Sequence, residues 1–116
     1  MPPTSAESFA DVDVDARRAR GRVRPAHAAA LCDGHFPGDP IVPGASLVAL
    51  MAELAATLVE GAELAAVERC TFRRRVHPGR AIVVVAERTD AAQVDARVEA
   101  GDVLAATARL RYRPTP

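Results

Sequence analysis

HFPGDPIVPGASLVALMAE, residues His35 to Glu53, joins a histidine-bearing loop to a helix start and then to a nearly all-apolar helix. Pro37, Pro40 and Pro43 each fix φ and remove a donor, while Gly38 and Gly44 permit tight turns or close approach to the backbone. Behind Pro43-Gly44, the run Ala45 to Val59 carries Leu47, Val48, Leu50, Met51, Leu54, Leu58 and Val59, and so predicts a helix buried in a core. The first-turn amides of such a helix have no intrahelical acceptor. With the helix dipole they can bind an anion, or a carbonyl oxygen that is becoming one. A base and an oxyanion site then stand side by side. The plain alternative is a Pro/Gly loop entering a core helix, with His35 hydrogen-bonded and inert.

On the N-terminal side, Val12, Val14 and Ala16 alternate with Asp11, Asp13 and Asp15, and Ala19, Gly21 and Val23 alternate with Arg18, Arg20, Arg22 and Arg24. Both read as half-buried strands. A hairpin turning near Ala16-Arg17 sets the aspartates against the arginines, so the expected face is solvated and internally matched. Pro25 ends the second strand, and Ala26 to Asp33 leads into the histidine loop, with His27 given no catalytic part. On the C-terminal side, Glu60-Gly61 stops the helix. Strands are predicted over Leu64 to Arg75, Arg80 to Arg88, Gln93 to Glu99 and Val103 to Arg113, punctuated by Pro78-Gly79, Thr89-Asp90 and Gly101-Asp102. In the last of them Leu104, Ala106, Ala108, Leu110 and Tyr112 face one way, and Arg109, Arg111 and Arg113 the other. One buried helix and a run of antiparallel strands with one covered face make an α+β layer arrangement.

The ten positions His35 to Gly44 resemble the signature of the 3-hydroxyacyl acyl-carrier-protein dehydratases, a hot-dog-fold family. Phe72-Arg73-Arg74-Arg75-Val76-His77-Pro78-Gly79 is similar, more weakly, to that family's later F-x-x-P-V-x-P-G-D segment. The resemblance covers about Phe9 to Arg113 and implies a long central helix wrapped by a curved antiparallel sheet. It also implies dehydration of a 3-hydroxyacyl thioester to the trans-2-enoyl form in fatty-acid or polyketide synthesis, with no cofactor and no metal. By position it makes His35 the base that removes the proton beside the thioester carbonyl, and the Gly44 amide the group that polarises that carbonyl. Phe36, Pro37, Pro43 and Ala49 would then lie against the substrate.

The family's catalytic Glu or Asp, contributed across a dimer, falls on Ala49, and alanine cannot transfer a proton. Glu53 is the remaining carboxylate of the helix. It lies on the same face as Ala49 but about 6 Å further along, beyond the ~2.6–3.2 Å reach of a proton transfer unless helix or substrate shifts. The leading expectation is therefore a chain that pairs with a homologous chain supplying the acid; a homodimer using Glu53 stands second. A non-catalytic subunit that binds or stabilises acyl carrier complexes, and a hot-dog thioesterase, are the rival functions. Arg73, Arg74, Arg75 and Arg80 form a local basic excess suited to steering an acidic carrier protein, with a plain solvated strand end as the alternative. His77, in the turn before Pro78, is expected to be structural.

At 116 residues the chain is one domain, expected over residues 9–116 with residues 1–8 frayed. Fifteen basic and fifteen acidic residues cancel, which gives no sign of nucleic-acid binding. Cys32 and Cys70 fit no metal or redox spacing and read as buried free thiols. The N-terminus shows no positive region followed by an apolar one, and the longest apolar run is too short to span a bilayer, so the expected location is the cytoplasm.

Overall fold

The computed structural model describes residues 8–34 and 38–115. Strand β1, Phe9–Val14, and strand β2, Arg18–Val23, form the N-terminal hairpin. Helix α1, Pro25–Leu31, leads towards the loop, and helix α2, Gly44–Ala55, follows it and closes with one 3-10 turn, Ala56–Leu58. Four more strands complete the chain: β3, Ala62–Phe72; β4, Ile82–Asp90; β5, Gln93–Ala100; and β6, Val103–Pro114. They make one six-stranded sheet in the order β1-β2-β4-β5-β6-β3, antiparallel at every pairing. This is the hot-dog arrangement, a sheet curved around a central helix.

Period-two alternation decides which face of the sheet α2 covers. Val94, Ala96 and Val98 of β5 and Ala106, Ala108 and Leu110 of β6 are buried, and they form one cluster with Leu47, Leu50, Met51 and Leu54 of α2. Removing each of the valine, leucine and methionine side chains among them from water stabilises by about 1.5–3 kcal/mol. On the opposite face the charged partners stand across the strands. Arg109 meets Asp95 at 3.1 Å, Arg111 meets Glu68 at 3.0 Å and Arg113 meets Glu63 at 2.8 Å. Such half-exposed pairs fix register more than they stabilise.

In β4 the whole run Ile82 to Ala86 is buried, although alternate residues face outward. Val85 lies in register between Arg20 and Arg97, and Val83 between Arg22 and Glu99. Long charged side chains cover an apolar surface with their alkyl stems and keep the charge in water. A central strand can therefore be apolar on both faces without a second layer of helices.

The N-terminal hairpin turns where the sequence puts it. Asp15 Oδ1 accepts from the Arg17 and Arg18 amides at 2.9 Å each, and these two bonds hold its carboxyl below the usual carboxylate range. Asp11 pairs with Arg22 at 2.6 Å and Asp13 lies opposite Arg20 in register, so the acid and base rows do face each other.

Three expectations need correction. Residues 25–31 form a helix, where the sequence suggests only that Ala26 to Asp33 leads into the histidine loop; Pro25 at its first turn has the fixed φ and missing donor suited to a helix start. Strand β3 stops at Phe72, not Arg75, because the Arg73 and Arg74 amides both turn to the Ala105 carbonyl. Cys70 is exposed, although Cys32 is buried, because β3 is an edge strand with nothing beyond it. Among the described residues no helix is long and apolar enough to cross a membrane.

Candidate active site at the helix N-terminus

Pro43 is the N-cap of α2, with φ −60° and ψ 149°, and offers no side-chain cap. The hydrogen bonds of the first turn start at Ser46 and Leu47, whose amides both donate to the Pro43 carbonyl at 3.0 and 3.1 Å. The Gly44 amide precedes them, where a helix has no acceptor of its own to offer. Among the described residues it has no acceptor, and it stands at the positive end of the dipole.

Glycine at 44 leaves room for a close neighbour. A Cβ there would sit 3.0 Å from Cζ of Phe72, which lies edge-on against the helix start while remaining half exposed. Phe72 belongs to the second motif, and further contacts bind that motif to the first. The Val42 amide donates to the Val76 carbonyl at 2.8 Å, and His77 Nδ1 donates to the Pro40 carbonyl at 3.1 Å. The two stretches that looked similar to one family, 37 residues apart at His77 and Pro40, thus form one wall.

Between them lies a cavity of about 340 Å³. Val42, Leu47 and Val76 give it an apolar lining, Gly44 and Phe72 bound one side, and Arg73, Arg74 and Arg75 rim it. A donor at a helix N-terminus, an apolar recess and a cationic rim are together suited to an apolar chain that carries a carbonyl and ends in something negative. Of the residues singled out from sequence, Gly44, Arg73, Arg74 and Arg75 line this cavity, and Pro43 is the helix N-cap beside it. Arg80 lines an adjoining recess, behind Arg74 and Arg75.

Two of the remaining candidates stand apart. Ala49 is exposed, on a stripe formed by Ala45, Ala49 and Ala52 of α2 and Ala56 of the 3-10 turn, all wholly or partly open to solvent in the single chain. Glu53 lies nine residues and so roughly 13 Å from Gly44 along the helix. Its Oε1 accepts from the Ser8 hydroxyl at 3.0 Å, and that hydroxyl is 3.3 Å from His27 Nε2. His35, Phe36 and Pro37 lie outside the described residues.

Phe72, Val42 and Val76 belong to the cavity and were given no role from sequence. Phe72 could have been found from its place at the head of the second motif, since an aromatic there lies next to the helix glycine in the folded chain. Ser8 carried no signal at all.

Comparison with known proteins gives consistent results. The chain matches the ApeI-like family, described as ApeI dehydratase, over residues 11–108. It is 32% identical over 91 residues to the 3-hydroxyacyl-(acyl-carrier-protein) dehydratase FabZ of Alkaliphilus metalliredigens, covering 68% of this chain and 62% of that protein. The chain therefore spans less than two thirds of the length of the curated relatives it matches. Among solved structures it resembles the dehydratase heterocomplex ApeI:P from Xenorhabdus doucetiae, with a TM-score of 0.77 at 18% identity, covering 90% of this chain and 95% of that one. It also resembles the (R)-hydratase of A. caviae involved in PHA biosynthesis, with a TM-score of 0.65 at 20% identity, covering 89% and 98%. At these identities the structural likenesses speak for the fold alone.

Proposed function

The chain belongs to the ApeI-like dehydratase family, and from that membership we propose that it acts on 3-hydroxyacyl thioesters of acyl carrier protein, converting them to trans-2-enoyl thioesters as one half of a heterodimer. The observation that carries this reading is the Gly44 amide, with no hydrogen-bond acceptor among the described residues, at a helix N-terminus lining an apolar cavity rimmed by Arg73, Arg74 and Arg75. Removing a proton beside a thioester carbonyl builds negative charge on the carbonyl oxygen. A fixed amide at the positive end of a helix stabilises that charge without reorganisation.

In this reading His35 removes the proton, and Phe36, Pro37, Pro43 and Ala49 contact the acyl group. The leaving hydroxyl needs an acid that position 49 does not supply, and Glu53 is held towards Ser8. A second chain placing a carboxylate opposite the Ala49 stripe meets the need. Support for such a chain also comes from β3, an edge strand on which Leu64, Val67 and Phe72 stay 40, 39 and 51% exposed. An unpaired edge with apolar side chains invites a partner strand.

The test is hydration of a short trans-2-enoyl thioester, followed by loss of its conjugated absorbance, first with the purified chain and then with a homologous partner chain added. Turnover only in the mixture, abolished by His35→Ala in this chain, is the expected result. Turnover by the chain alone that survives Glu53→Gln would defeat the divided site, and full activity of the mixture with His35→Ala would leave a purely structural subunit.

A further inference from the structure

The outer face of the sheet, the one α2 does not cover, carries a groove of about 290 Å³ lined by Arg69, Glu87, Asp95, Arg97, Thr107 and Arg109. Strand register sets its walls. Glu87 of β4 lies opposite Asp95 of β5, Asp95 lies opposite Arg109 of β6, and Arg109 lies opposite Glu68 of β3, with Arg69 next along that strand. Most of these charges are matched within the chain. Asp95 meets Arg109 at 3.1 Å across the β5–β6 seam, Arg97 meets Glu99 at 2.9 Å, and Glu68 meets Arg111 at 3.0 Å.

Two charges of the groove are left over, one of each sign. Among the described residues, neither the Glu87 carboxylate nor the Arg69 guanidinium has an ion-pair or hydrogen-bond partner. Arg18 faces Glu87 from β2 but makes no ion pair with it. Both leftover groups also run against local preference. Like charges directly opposite each other on neighbouring strands, as Glu87 and Asp95 are, destabilise the pairing. Arg69 is the one described non-glycine residue with a positive φ, 50°, in a bulge of β3 between Glu68 and Thr71. A Cβ makes that backbone costly, and conflicts of this kind gather where a surface is used. Around the β5–β6 seam the pattern complements itself: the acids Glu87 and Asp95 stand on one side, and the bases Arg109 and Arg69 on the other.

We propose that the outer face is an interface with a second copy of this chain, stacked back to back about a two-fold axis that lies between the two sheets and runs along the β5–β6 seam. In a two-fold contact, residue i of one copy meets residue j of the other, and j meets i. This rotation lays β5 on the other copy's β6, and β4 on its β3. Each Glu87 then meets an Arg69, and each Asp95 gains a second arginine, the other copy's Arg109. Stacked sheets stand about 10 Å apart, a gap that a glutamate and an arginine side chain span between them. Stacking of faces leaves the β3 margin open, so it adds to pairing at that margin and does not depend on the reaction proposed above.

The test is sedimentation equilibrium of the full chain carrying Val67→Lys, which charges the β3 margin and leaves the outer face as it is. The expected result is a concentration-dependent dimer. Glu87→Arg and Arg69→Glu should each weaken it by about tenfold, because every substitution acts twice in a two-fold contact. The double variant exchanges the two charges and should recover the affinity of the Val67→Lys chain. Raising the ionic strength should weaken that chain and the double variant alike. Arg69→Gly keeps the fold in view: glycine suits the left-handed backbone, so this variant should lose association while unfolding no earlier in urea. A monomer at every concentration reached, a dimer that either single reversal leaves intact, or a double variant that stays as weak as the single ones overturns the proposal.

Discussion

Two glycines show how much a missing Cβ determines. Gly21 in β2 would place a Cβ 2.7 Å from the Phe9 ring and 3.2 Å from Leu54, both buried to within 2%. Gly21→Ala is therefore expected to cost about 1–3 kcal/mol in a urea titration, as overpacking of a closed site does. Gly44→Ala meets a half-exposed ring that can swing away, so its cost to stability should be smaller, while Phe72 is driven off the helix start. At position 49 the prediction concerns chemistry. If a carboxylate is what the site lacks, Ala49→Glu should let the chain hydrate an enoyl thioester without any partner, by roughly 10²–10⁴-fold over the parent chain in the same absorbance assay. The positions of Gly44 at the start of α2 and of Ala49 within it were legible from one ten-residue motif and a count along a helix. Those of Phe72 and Ser8 were not, because each depends on which distant residue the fold brings beside it.

Among the elements, α2 and the C-terminal strands were legible because proline, glycine and strict alternation are local signals. Helix α1 was hidden, since its sequence PAHAAAL carries neither a capping side chain nor an acidic residue in the first turn. The end of β3 was misread because Arg73 and Arg74 continue a strand-like run while their amides both bond to Ala105. Leu54, 1% exposed on α2, is the side chain whose loss should be felt most: Leu54→Ala is expected to destabilise by about 2–5 kcal/mol in the same titration. On β3 the exposed Val67 belongs to the proposed partner surface. Val67→Lys should leave the far-ultraviolet spectrum of the chain intact and weaken assembly with a partner chain, measured by sedimentation velocity.

For the whole molecule, alkaline pH offers a clean probe. All fifteen basic residues are arginine, and Tyr112 is the single tyrosine. Burial pushes the Tyr112 hydroxyl up from 10.0 to about 12. Between those values the unfolded chain has released the proton and the folded chain has kept it, so stability is full below pH 10 and falls as pH rises towards 12. Two pH units correspond to about 3 kcal/mol. The buried thiol of Cys32, also raised by desolvation, acts in the same direction. Tyr112→Phe should flatten most of that decline between pH 10 and 12, measured by urea midpoints, and should cost little at neutral pH because the hydroxyl is buried with no hydrogen-bond partner among the described residues.

The two margins of the sheet differ in kind. At one, β1 carries Asp11 and Asp13 opposite Arg22 and Arg20, with Val14 exposed only at its turn end; at the other, β3 presents Leu64 and Val67 to solvent between the paired Glu63 and Glu68. Charge along a margin resists the addition of a further strand, and an apolar margin accepts one. A monomer with one sticky end and one inert end is a chain terminator as well as a chain starter. Once two such monomers join through their sticky ends, only inert ends remain, and growth stops at a pair instead of running on into a fibre.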